Sequence, residues 1–243
     1  MKQLFVLLSL SISANIYADE ILFATANNLY TNGEYSEAIS KYDSIISNNI
    51  ESPEVYYNLG NCYYKMGDWA NAIWHYEKSL KSERNEKTIQ NLVLANLKII
   101  DRIEPLPQLF YKKWLTSLSQ LFSTKIWQIL ALICVWLFSF FKIFILLTIY
   151  KKDKLSHIFL MTAILLVLIA NFSYTNTIEK KEGIIFSSTV IINSAPTSNS
   201  TDLFSLHSGV KVELVDEIGD WINIKLTNGN TGWVKKNNCR LLY

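Results

Sequence analysis

The chain is poor in the residues that most often carry chemistry. Of its 243 residues only three are histidine and three are cysteine. His75, His157 and His207 stand apart from one another, and Cys62, Cys134 and Cys239 show no metal-ligand spacing. A Gly-rich phosphate loop, a nucleophile elbow and a paired-acid motif are all missing, so neither an enzyme nor a cofactor or metal site is expected. The thiols are read as unpaired and buried rather than as a Cys62–Cys239 bridge. A strong charge of either sign is also lacking. The net charge of +2 conceals thirteen acidic and eight basic groups over residues 19–104, and five of each over 184–243. The surplus of lysine lies at Lys112, Lys113, Lys125, Lys142, Lys151, Lys152 and Lys154, around the most apolar part of the chain. That placement fits lipid head groups and argues against a nucleic-acid partner.

Apolar runs are abundant. Trp127–Tyr150 holds 24 residues with one charge, Lys142, and Ile158–Thr177 holds 20 with none. About 20 apolar residues in a helix span roughly 30 Å, the hydrocarbon thickness of a bilayer. Two transmembrane helices are therefore expected at 127–150 and 158–177, joined by a turn at 151–157. Two crossings return the chain to its starting side, so the segments flanking the pair must share a compartment. Lys142 is expected either to snorkel toward the head groups or to meet an acidic group in another protein's membrane helix.

The N-terminus combines Lys2 with the short apolar core Leu4–Ile12 and ends at Ala18, which reads as a secretory signal peptide over 1–18, with Ala14 as the alternative cleavage site. A repeat follows. At an offset of 34, Asn27, Tyr30, Gly33, Ala38 and Tyr42 fall on Asn61, Tyr64, Gly67, Ala72 and Tyr76. The second copy, with Tyr56, Leu59, Gly60, Tyr63, Gly67, Ala72 and Tyr76, resembles the tetratricopeptide (TPR) pattern of small and aromatic residues at helix crossings. Two repeats are placed at 19–52 and 53–86. A third helix, with the stripe Ile89, Leu92, Val93, Asn96, Leu97 and Ile100, is expected to close the stack as far as residue 104. In a TPR the first helix of each repeat lines the concave face. The resemblance thus implies a partner-binding face of Phe23, Asn27 and Tyr30 from one copy and Tyr57, Asn61, Tyr64 and Lys65 from the other. Asn can hydrogen-bond a peptide backbone, and Tyr adds apolar area with a polar tip. Asn61, Tyr64 and Lys65 are read as dispensable for the core, unlike Gly60, Tyr63 and Ala72.

Pro105-Leu106-Pro107 stops the third helix. Within 105–126, the amphipathic stretch Leu109–Phe122 reads as a helix at the head-group level. After a charged linker at 178–183, periodicity changes to two: Val210, Val212, Leu214, then Ile222, Ile224, Leu226, separated by Ser208-Gly209, Gly219-Asp220 and Asn228-Gly229. With Asp220-Trp221 and Gly232-Trp233-Val234, residues 184–243 resemble the bacterial SH3-like domain. Trp221 and Trp233 are read as core or barrel-closing aromatics before ligand platforms.

The expected fold class is thus a multidomain membrane protein: all-α TPR helical repeats, two transmembrane helices and a C-terminal all-β SH3-like barrel. That order, with Asp101–Pro107 at the junction, resembles the E component (BatE) of bacterial aerotolerance (Bat) operons. The resemblance implies a non-enzymatic adaptor in the inner membrane with both domains in the periplasm. Its implied partners are von Willebrand A-domain membrane proteins and a MoxR-type ATPase. The competing expectation is a cell-wall module in which the SH3-like domain holds peptidoglycan and the TPR recruits or regulates a wall hydrolase such as an amidase.

Overall fold

The computed structural model describes residues 20–48, 52–107, 109–119, 121–148, 153–177 and 181–242. The signal-peptide reading, Lys151, Lys152 and residues 178–180 of the 178–183 linker lie outside the described residues. The chain divides into two compact units, one formed by Met1–Pro105 together with Lys181–Tyr243, the other by Leu106–Lys180.

The first unit begins with two antiparallel helix pairs: α1 (residues 20–31) with α2 (Tyr35–Ser47), and α3 (Pro53–Met66) with α4 (Trp69–Ser82). Local chemistry sets their ends. The Ser52 hydroxyl accepts the Glu54 N–H at 3.3 Å, with Pro53 opening α3, and the Asp68 carboxylate accepts the Asn71 N–H at 3.1 Å to open α4. Small residues decide how closely the helices cross. A Cβ on Gly60 would lie 2.5 Å from the Tyr76 ring, so only glycine fits there. Ala26, its counterpart in the first copy, is fully buried beside Tyr42. The fifth helix, α5 (Glu86–Asn96), turns Thr88 and Ala95 inward, with Leu92 half-buried beside them. Val93, Leu97 and Ile100, expected in the closing stripe, are instead exposed. The small residues Thr88 and Ala95 let α5 approach the stack closely, and that choice rotates the bulkier stripe outward.

The β-domain is one antiparallel sheet of seven strands: β1 (Glu182–Ile185), β2 (Thr189–Asn193), β3 (Asp202–His207), β4 (Lys211–Ile218), β5 (Trp221–Lys225), β6 (Thr231–Lys235) and β7 (Cys239–Leu241). Their spatial order is β3-β2-β6-β5-β4-β1-β7. Val212, Ile222, Ile224, Leu226 and Val234 fill the core with Ile185, Ile192 and Leu206. Leu214 is only half-buried because the β4–β5 register shifts between Leu214 and Asp216, which interrupts the alternation. Trp221 and Trp233 alternate with the buried Ile222 and Val234, so they sit half-buried on the opposite face of the sheet rather than in its core. The Lys235 ammonium lies 5.7 Å from the Trp221 ring.

Helices and sheet share one interior. Ala72, Ile73, Trp74 and Ala95 from α4 and α5 form a single buried cluster with Ile184 and Leu242 of the β-domain, with Phe186 packed alongside. The Trp74 indole N–H donates to the Leu241 carbonyl at 3.0 Å, and the Arg240 guanidinium stacks over the same indole at 3.7 Å. Lys211 pairs with Glu77 at 2.8 Å and Glu182 at 3.2 Å. Burial opposes its charge, but the two carboxylates outweigh that and hold its pKa above the ordinary value. Past α5 the chain runs along the β-domain. Ile99 and Ile103 pack against its core, and the Asp101 carboxylate accepts the His207 backbone N–H at 2.6 Å and faces its Nδ1 at 2.9 Å. At Gly209, where φ is 93°, a Cβ would meet Ile99 at 2.4 Å, so the contact requires glycine.

The second unit holds α6 (Phe110–Ser119), α7 (Thr124–Leu147) and α8 (Lys154–Thr177). Both α7 and α8 are long and apolar enough to cross a membrane. They meet through small and polar residues and one stacked aromatic pair, Phe141 with Phe159 at 5.4 Å between ring centroids. Ala131, Ala163 and Ala170 are buried, and Thr124 and Ser173 hydroxyls hydrogen-bond at 2.9 Å. Trp136, Phe140, Leu146 and Leu168 point outward. Lys142 pairs with Asp153, which also accepts the Ser156 hydroxyl, so the acidic group that Lys142 meets belongs to its own chain.

Candidate partner-binding groove

Four of the seven residues expected on the concave face come together. Tyr30, Asn61, Tyr64 and Lys65 line a pocket of about 180 Å³, closed by Tyr76 of α4 and by Asn91 and Leu94 of α5. Lys65 is the one charged residue in that lining. Tyr30 packs on Tyr35 at 5.5 Å and Tyr64 on Trp69 at 5.3 Å between ring centroids, the same contact repeated 34 residues on. Burial raises the Tyr30 pKa, so its hydroxyl stays protonated and able to donate.

The other three expected residues brace this surface. Phe23 lies edge-on to Tyr42 at 6.0 Å, and Tyr57 lies against Tyr76 at 6.1 Å, again the same contact in both repeats. Asn27 and Asn61 hold a polar ladder through the stack. The Asn27 Oδ1 accepts the Tyr42 hydroxyl and the Asn58 amide at 3.1 Å. The Asn61 Oδ1 accepts the Tyr76 hydroxyl and the Asn91 amide, both at 2.8 Å. Asn91 also donates to the Tyr57 hydroxyl at 3.3 Å. Both Asn oxygens are therefore committed within the fold, and Asn61 satisfies a tyrosine hydroxyl whose residue is only 1% exposed. Truncating Asn61 would disturb the stack as well as the pocket. Sequence reasoning missed Asn58 and Asn91, although their spacing of 33 residues repeats that of Asn27 and Asn61 to within one residue.

Cys62 and Cys239 are both free and buried, and burial pushes each thiol up to about 12, far from the reactive thiolate range.

Comparison with known families agrees with this architecture. Residues 53–85 match the tetratricopeptide repeat, residues 26–67 match a further TPR repeat description, and residues 188–238 match the bacterial SH3 domain. No curated protein matches the chain. The chain thus combines TPR repeats and a bacterial SH3 domain with two helices long enough to span a membrane. TPR and SH3 domains are typically interaction modules rather than catalysts.

Proposed function

We propose that the chain is a BatE-like, membrane-anchored adaptor of an aerotolerance or envelope-stress complex. Its hairpin sits in the inner membrane and its TPR and SH3-like domains face the periplasm. Partners dock in the TPR groove on Tyr30, Asn61, Tyr64 and Lys65, with Phe23, Asn27 and Tyr57 bracing that surface. The chemistry of those partners is that of an extended protein segment, and the resemblance nominates von Willebrand A-domain membrane proteins and a MoxR-type ATPase. The observation that carries the reading is that the chain before the hairpin and the chain after it fold into one compact unit. Such a unit forms only if both flanks lie on the same side of the membrane, as two crossings require. The signal peptide read at 1–18 would place that side outside the cytoplasm, and Lys151, Lys152 and Lys154 favour a cytoplasmic turn. The division into 19–104, 105–126, 127–150, 158–177 and 184–243 belongs to this proposal.

The test is crosslinking in intact membranes of wild type against Tyr64→Ala with Lys65→Ala, which leaves the Asn61–Tyr76 bond in place. Loss of crosslinked partners by tenfold or more is expected, since tyrosine anchors at interfaces contribute about 2 kcal/mol. Unchanged partners would remove the groove from the proposal. A second reading, a peptidoglycan-binding module, draws on the outward placement of Trp221 and Trp233. Retention of the purified protein on cell wall, lost in Trp221→Ala with Trp233→Ala, would favour it.

A further inference from the structure

His75 is a buried base with no stated task. It sits on α4 at 3% exposure, and its Nδ1 is buried without a hydrogen-bond partner among the described residues. Its ring lies parallel to Tyr63 at 5.1 Å and edge-on to Trp74 at 4.8 Å, with Tyr56 at 6.0 Å. Trp74 is the residue that binds the Leu241 carbonyl and carries Arg240 on its face. The imidazole therefore lies directly behind the seam between the repeats and the SH3-like domain. An apolar residue would fill that space without an orphaned nitrogen.

We propose that His75 is a proton-operated latch for the docked SH3-like domain: the neutral ring packs behind Trp74, and its protonation frees β1 and β7 from the repeat stack. The charges acting on the ring are Arg240 of β7 and Lys78 of α4, both cationic. Its ionisable neighbours on α3 are Tyr56 and Tyr63, and Asp43 of α2 interacts with Tyr63 and Arg240. A proton on His75 would thus be buried beside two like charges. Burial first, then Arg240 and Lys78, push its pKa down from 6.5 to about 3. A base held neutral in the docked state binds its proton only after opening. Docking is therefore fully stable above pH 6.5 and weakens as pH falls toward 3. Within that window one linked proton changes the ratio of docked to open forms about tenfold per pH unit. Other charged pairs across the seam are Lys211 with Glu77, Asp101 with His207, Lys81 with Glu182 and Asp43 with Arg240. They are the competing source of any acid sensitivity, and substitution at His75 leaves them intact.

The experiment is hydroxyl-radical footprinting of side chains on the full chain in lipid nanodiscs at pH 7.0 and 4.5, because β1 keeps its amide bonds to β4 and β7 when the seam opens. In wild type, protection of the Trp74, Ile184 and Leu242 side chains should fall about 100-fold, while buried side chains of α1 and α2 keep theirs. In His75→Phe the same side chains should stay protected at pH 4.5, and His75→Gln provides a neutral polar replacement should Phe fail to fold. Equal loss in wild type and both variants would assign the effect to the carboxylates and overturn the latch. So would full protection of wild type at pH 4.5, or loss spread equally over α1 and α2.

Discussion

The pairs α3–α4 and α7–α8 are both antiparallel helix pairs, yet one is the inverse of the other. In α3–α4 the large side chains Tyr56, Leu59, Ile73, Trp74 and Tyr76 are buried, and Gly60 and Ala72 give them room. In α7–α8 three buried alanines, a hydroxyl pair and one stacked ring pair, Phe141 on Phe159, make the contact, and Trp136, Phe140 and Leu146 face outward at 63–84% exposure. The first arrangement is driven by removing apolar area from water. The second leaves most of its large apolar side chains outside, the arrangement expected of helices whose surroundings are as apolar as leucine. The difference is the one expected of two parts of a chain that meet different solvents.

The sharpest way to break this comparison is a charge on an outward position. Trp136, near the middle of α7, is 70% exposed, and Trp136→Arg should cost about 3 kcal/mol of membrane insertion. Met66 in the first unit is 51% exposed, and Met66→Arg should change stability by less than about 0.5 kcal/mol. Membrane fractionation and thermal unfolding of the two variants check this together. Normal insertion of Trp136→Arg would mean that α7 does not face lipid.

A change in packing comes next. Gly60→Ala forces a methyl into the Tyr76 ring and should destabilise the first unit by about 2 kcal/mol, read as a lowered unfolding midpoint with unchanged membrane insertion. The smallest effect concerns the polar ladder. Asn61→Ala leaves the Tyr76 hydroxyl and the Asn91 amide without their acceptor and should cost about 1 kcal/mol, measured by denaturant unfolding. Unchanged stability in Asn61→Ala would show that water replaces the amide and that Asn61 serves the pocket alone.

Much of the architecture could be read from local pattern, because local pattern is what places those elements. The 34-residue offset that aligns Gly33 with Gly67 and Tyr42 with Tyr76 reflects a helix crossing repeated twice. The uncharged run Ile158–Thr177 reflects a helix long and apolar enough to cross a membrane. Period-two alternation placed Ile222 and Ile224 in the β core for the same reason. Faces were harder. Helical period alone put Val93 and Leu97 on the closing side of α5, whereas close approach through Thr88 and Ala95 chose another side. Alternation fixed that Trp221 lies opposite Ile222, but the preference of tryptophan for interiors pointed the wrong way.

By itself, the sequence determined the repeats, the apolar hairpin, the strands and their turns, since each depends on residues within a few tens of positions. Only the tertiary structure decided that the helical repeats and the β-domain are one body. Trp74 meets Leu241 across 167 residues and Lys211 meets Glu77 across 134, with the whole hairpin between them. No periodicity records such a pairing. It arises because α4 has an apolar outer side and the β-domain has Ile184 and Leu242 to cover it, a match of shape and charge that exists only once both have folded.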